Sequence, residues 1–139
     1  MDIELLKRIL MDNRRIIGRI DFIERDILLE EGLNYVFVGL RQAGKSFLMY
    51  QRIHQLLKSG HSMDEIVYLN LDDERLFGMT VDDLDMILQA HYQLNDCTPI
   101  LFLDEIQNID HWEHFARRLA NEKYRVYITG SNAKMLSSE

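Results

Sequence analysis

The sequence predicts an α/β fold in which a mostly parallel sheet lies between layers of helices. Three observations predict it. Four apolar runs, YVFV, IVYLNL, ILFLDE and VYIT, alternate along the chain with segments of helical periodicity. The runs are apolar nearly throughout, as strands covered on both faces require. The chain has 139 residues, 47% of them apolar, which is enough for one domain with a substantial core.

Residues 1–31 read as an N-terminal helical segment and residues 32–139 as the α/β core. In the first part, Ile3, Leu6, Ile9 and Leu10 recur at helical spacing, and Ile16, Ile20, Ile23 and Ile27 give a second pattern. A break near Asp12-Asn13, or near Gly18, would divide them into two amphipathic surface helices. Arg8, Arg14, Arg15 and Arg19 offer contacts to a partner or to phosphates, but seven acidic residues share the first thirty positions. Gly32 and Asn34 mark a helix stop. YVFV, residues 35–38, is the first strand and runs directly into GLRQAGKS. Residues 45–58 follow as a helix anchored by Leu48, Ile53, Leu56 and Leu57 and ended by Ser59-Gly60.

IVYLNL, residues 66–71, is the second strand, with Asp72, Asp73 and Glu74 after it. Thr80 and Asp83 form a capping box for a helix of roughly four turns, marked by Leu84, Ile87, Leu88 and Leu94. Pro99 opens the third strand, ILFLDE. Asp110 and Glu113 form a capping pair for a helix carrying Trp112, Phe115, Ala116 and Leu119. VYIT, residues 126–129, is the fourth strand, and Asn132 caps one further helix.

Composition excludes several classes. The net charge of −7 argues against non-specific nucleic-acid binding, and residues 76–116 hold eight acidic residues with no lysine or arginine. No apolar run is long enough for a membrane span, and MDIELLKRIL is unlike a secretory signal. A single cysteine, Cys97, cannot form an internal disulfide and fits a reducing, cytoplasmic setting.

Gly39 to Ser46 match G-x-x-x-x-G-K-S between a strand and a helix, which is the context that gives this motif its meaning. The glycines let the backbone wrap a phosphate closely. Backbone N–H groups and the helix N-terminus then bind the anion. The candidate nucleotide contacts are Gly39, Leu40, Arg41, Gln42, Ala43, Gly44, Lys45, Ser46 and Phe47. Lys45 is expected to reach the β- and γ-phosphates and Ser46 to ligate Mg²⁺. Arg41 is open to three readings: a phosphate contact, an ion pair with an acidic neighbour, or a solvent-facing charge.

ILFLDE places two carboxylates after a buried run. In a doubly wound sheet the carboxyl ends of strands face the ligand. Asp104 is expected to hold the same Mg²⁺, directly or through water, and Glu105 to orient or deprotonate the attacking water. An Asp-Glu pair favours ATP hydrolysis over transfer to a metabolite. A small-molecule kinase would need an acceptor lid that residues 72–98 do not offer. A GTPase would show D-x-x-G where this chain has DEIQ, and N-K-x-D where it has NAKM, so ATP or ADP is the expected nucleotide.

GLRQAGKS, YLNLDDERL, LFLDEIQNIDHWE and VYITGSNAKMLS together resemble the AAA+-related P-loop ATPases of bacteria and archaea whose members usually carry a C-terminal nuclease-like domain. The resemblance implies the three-layer P-loop NTPase sandwich. It also implies a polar sensing group after the fourth strand, for which Thr129, Ser131 and Asn132 are the candidates. Gln107 and Trp112 match the family's extended acidic motif, although Trp112 by itself reads as a core anchor of its helix. Asp72 and Asp73 match an acidic pair at the end of the second strand. Family members continue past residue 139, completing the sheet and adding a trans-acting arginine region, so the chain is expected to be a truncated N-terminal module. Its phosphate-loop strand would then be an edge, to be covered by a second copy or another protein. The expected function is ATP hydrolysis that drives a conformational change in the intact protein. The alternative is a catalytically silent, nucleotide-responsive interaction module.

Zinc is set aside. His111 and His114, with Cys97 or His91, lack C-x-x-C or H-E-x-x-H spacing. A serine hydrolase elbow and a G-x-G-x-x-G fingerprint are absent too.

Overall fold

The computed structural model describes residues 1–20, 35–39 and 44–131. Ile23, Ile27, Gly32, Asn34, the loop residues Leu40 to Ala43, and Asn132 lie outside the described residues. The architecture is the expected one. Four parallel strands, β1 (Tyr35–Gly39), β2 (Ile66–Asn70), β3 (Ile100–Asp104) and β4 (Arg125–Ser131), form one open sheet in the order β1-β4-β3-β2. The helices α1 (Ile3–Arg19), α2 (Gly44–Lys58), α3 (Asp85–Leu94) and α4 (Trp112–Asn121) flank it. Among the described residues β1 is an edge strand, as expected. Its register runs from Tyr35↔Tyr127 to Gly39↔Ser131, so the phosphate-loop strand ends level with the end of β4.

Alternation along the strands sorts the core into two clusters. On one face Val67, Leu69, Leu101, Leu103, Val126 and Ile128 pack with Leu6, Ile9 and Leu10 of α1, Ile87 and Leu88 of α3, and Phe115 and Leu119 of α4. On the other face Ile66, Tyr68, Ile100, Phe102 and Tyr127 pack with Met49, Ile53 and Leu56 of α2 and with Ile17.

Helix α1 is one continuous helix through Asp12 and Asn13. Those polar residues do not interrupt it because each has work elsewhere: Asn13 donates to the Tyr68 carbonyl at 2.8 Å, and Asp12 pairs with Arg15 at 3.0 Å. An unbroken helix keeps the phase set by Leu6 and Leu10, so Ile17 is buried while Ile16 is 53% exposed. Of the second isoleucine pattern, Ile16 is thus exposed and Ile20 partly buried, and Ile23 and Ile27 lie outside the described residues. Arg14 faces neither partner nor solvent. It is buried and donates to the Ile66 carbonyl at 2.9 Å and to Asn95 Oδ1 at 2.8 Å.

Three further expectations change. In α2 Ile53 and Leu56 are buried as expected, Met49 joins them, and Leu48 and Leu57 are only partly buried. The Asp83 carboxylate accepts from the Thr80 N–H at 3.0 Å, but it caps a 3-10 turn at Val81–Asp83, and α3 itself has only 10 residues. The Asp110–Glu113 capping pair does not form: the N-cap of α4 is His111, in a left-handed conformation (φ 67°) with no side-chain cap bond. Trp112 packs against the larger cluster as a partly buried side chain, as a core anchor should.

Candidate functional site

The site lies where β3 and β4 end and α2 begins. Strand β3 stops at Asp104, a fully buried carboxylate. An isolated buried carboxylate is costly, so it needs hydrogen bonds. Three hydroxyls supply them. Ser46, in the first turn of α2, donates to Asp104 Oδ2 at 2.6 Å. Tyr68, on the neighbouring strand β2, donates to the same oxygen at 2.5 Å. Thr129 of β4 donates to Asp104 Oδ1. Burial, and then the charge of Asp104, push the Tyr68 hydroxyl far above its ordinary value, so it stays a donor.

Glu105 follows in a left-handed backbone conformation, φ 56° and ψ 45°. For a non-glycine residue this costs on the order of 1–3 kcal/mol and must be held by surrounding contacts. The Glu105 N–H donates to Thr129 Oγ1 at 2.9 Å, and the carboxylate accepts from Gln107 Nε2 at 2.6 Å. The turn brings Glu105 to 3.5 Å from the Lys45 ammonium, both side chains being nearly buried. Such a pair is less screened than a surface ion pair. The Gln107 carbonyl oxygen is buried without a hydrogen-bond partner among the described residues, so the amide spends one end on Glu105.

The structure thus joins Lys45, Ser46, Asp104, Glu105 and Thr129 in one polar cluster. Gly39 and Ser131 stand opposite each other at the ends of β1 and β4. Phe47 is 43% exposed and meets the Tyr50 ring edge-on at 6.1 Å. Leu40, Arg41, Gln42, Ala43 and Asn132 lie outside the described residues. Asp72 and Asp73 serve the loop after β2 instead: Asp73 caps a 3-10 turn and pairs with Arg75 at 2.8 Å, which holds its carboxyl below the usual range. Asp72 accepts from Asn108 Nδ2 at 3.3 Å.

Sequence reasoning missed Tyr68. The signal was the strand alternation: Asn70 pairs with Asp104 in register, so Tyr68, two residues earlier, shares its face. What sequence spacing did not show was that a tyrosine is long enough to reach the end of the adjacent strand.

The donor set fits a hard cation. Ser46 uses its proton on Asp104, which leaves its oxygen lone pairs available, and the remaining groups are oxygens. A lysine in the first turn of a helix suits a phosphate.

Comparison with known proteins points to one family. The profile of a family described as AAA domain matches residues 33–139. An uncharacterized protein of Methanocaldococcus jannaschii is 35% identical over 137 residues, covering 97% of this chain and 30% of that protein. An uncharacterized protein of Haemophilus influenzae is 30% identical over 106 residues, covering 75% of this chain and 26% of that protein. The chain spans less than a third of the length of either relative. No helix among the described residues is long and apolar enough to cross a membrane.

Proposed function

The chain belongs to the AAA domain family, a P-loop NTPase family, and on that premise we propose that it binds ATP or ADP with Mg²⁺ and that the whole protein hydrolyses ATP to drive a conformational change. The observation that carries the proposal is the Ser46–Asp104 hydrogen bond of 2.6 Å. It links the end of the glycine-rich motif to the acidic strand end, two segments 58 residues apart.

In this reading the loop from Gly39 to Ser46, with Phe47 behind it, holds the phosphates. Mg²⁺, when bound, would neutralise phosphate charge. Ser46 would hold the ion through its hydroxyl oxygen. Asp104 would act through the ion's water shell, since its two oxygens already accept from three hydroxyls. Lys45 would leave Glu105 for the β- and γ-phosphates. Glu105, released from that ion pair, would accept the proton of the attacking water. Thr129 braces Asp104 and Glu105 together, which supports a positioning role for the group first considered as a phosphate sensor. The edge position of β1 supports pairing with a second copy or another protein. The resemblance to AAA+-related proteins with a nuclease-like domain remains part of this proposal.

Calorimetric titration with ATP and with ADP, with and without Mg²⁺, tests it. Saturable binding is expected. Lys45→Ala should weaken it at least about tenfold through loss of a charge-assisted phosphate contact, with the circular dichroism spectrum unchanged. A folded protein that takes up neither nucleotide at millimolar concentration overturns the proposal.

A further inference from the structure

We propose that His111, Glu113 and His114 form a second metal site, for a transition-metal dication of the zinc class. The two imidazoles, set aside when only Cys97 or His91 was considered as a third ligand, find one in Glu113. One ring nitrogen from each histidine and one carboxylate oxygen all lie within 4.8 Å of one another. The arrangement follows from the irregular start of α4. The left-handed backbone at His111 precedes the first helical residue, Trp112, and His114 stands at the end of that turn. The imidazole centroids are 6.3 Å apart and tilted by 44°, side by side rather than stacked.

Three features favour an ion over an ordinary polar surface. Among the described residues, none of the three side chains has a hydrogen bond or an ion pair of its own, so nothing must be broken to bind. Arg117, exposed one turn further on, makes no ion pair with Glu113 among the described residues. The histidines are exposed and Glu113 only partly buried, so their side chains can rotate. Metal–ligand bonds of about 2.0–2.2 Å place ligand atoms about 3.3 Å apart in a tetrahedral site. Closing from within 4.8 Å to that spacing calls for rotation of the two exposed imidazoles and the partly buried carboxylate.

The donor set also fixes the class of ion. Two imidazole nitrogens and one carboxylate suit Zn²⁺, Cu²⁺, Ni²⁺ or Co²⁺, and disfavour Mg²⁺, which takes oxygens and keeps its waters. The site is therefore chemically distinct from the all-oxygen cluster around Asp104. Three protein ligands leave one coordination position for water or another donor.

Equilibrium dialysis of the chelator-treated protein against ZnCl₂, in millimolar Mg²⁺, tests the proposal. About one Zn²⁺ per chain should be retained. The His111→Ala/His114→Ala double variant should bind at least about tenfold more weakly, since even groups behind a ligand cost that much. Glu113→Gln should fall between the two. The residues are at the surface, so circular dichroism of the variants should match the parent. Zinc retention that is unchanged in the double variant, or lost instead in Cys97→Ser, overturns it. Because the readout is metal retention without nucleotide, its outcome is independent of the proposed ATPase.

Discussion

The two faces of the sheet are made from alternate residues of the same strands, yet they differ in kind. One face is aliphatic along its length: Val67, Leu69, Leu101, Leu103, Val126 and Ile128, all buried under α1, α3 and α4. The other begins as core, with Ile66 and Ile100, passes through the stacked rings of Phe102 and Tyr127 at 4.5 Å, and ends in Asp104 and Thr129. Polar groups are tolerated on that face because α2 brings their partners. Ser46 meets Asp104, and Arg52 donates to the Tyr127 hydroxyl at 2.9 Å. A sheet face can hold buried chemistry where the covering helix supplies matching hydrogen bonds, and otherwise it is filled by packing.

The sharpest division between the faces is at Glu105. Glu105→Gln keeps the size of the side chain and removes the proposed base. Single-turnover ATP hydrolysis by the whole protein should fall by at least about two orders of magnitude, within the range for general-base catalysis. Nucleotide affinity and the urea midpoint should change little. Near-normal hydrolysis would show that the base is another group.

The converse substitution is Leu101→Ala on the aliphatic face. Leu101 is fully buried, and its loss leaves a cavity costing about 2–5 kcal/mol. The urea midpoint should drop accordingly, while nucleotide affinity of the protein that remains folded stays within about twofold, since distant sites behave additively. A selective loss of affinity would mean that the two faces are coupled.

The smallest effect concerns the buried polar pair between α1 and α3, Arg14 and His91. His91 accepts from Arg14 Nη2 at 3.4 Å and donates to the Cys97 carbonyl at 2.7 Å, an arrangement that requires the neutral ring. Burial holds its pKa below the ordinary value. The unfolded chain therefore binds a proton first, and stability should decline as pH falls from about 6.5 toward the depressed folded value. Above about 6.5 the term vanishes. Urea midpoints at a series of pH values should show this slope, and His91→Gln should flatten it. An equal slope in the variant would assign it to other groups.

The fold was legible because its signals are local. Apolar runs, helical phases and a glycine-rich motif are each readable within a dozen residues, and the strands fall on YVFV, IVYLNL, ILFLDE and VYIT. Boundaries were less legible where a side chain is satisfied at long range. Asn13 looked like a helix break because its bond to the Tyr68 carbonyl, 55 residues away, leaves no mark in the local sequence. Arg14 read as a contact for a partner or for phosphates for the same reason: its oxygen acceptors belong to residues 50 to 81 positions along the chain.

What the sequence determined by itself was the kind of chemistry. Lysine, serine and two adjacent carboxylates in those contexts are the residues on which the proposed phosphate and divalent-ion site rests, whatever their mutual distances. Only the tertiary structure decided how the carboxylates are held. Strand order sets β2, β3 and β4 side by side, and that adjacency, not any local pattern, puts Tyr68 and Thr129 on Asp104. The left-handed turn at Glu105 is likewise unreadable from its own residue type, because a glutamate adopts it only when bonds from the next strand and from Gln107 offset the strain.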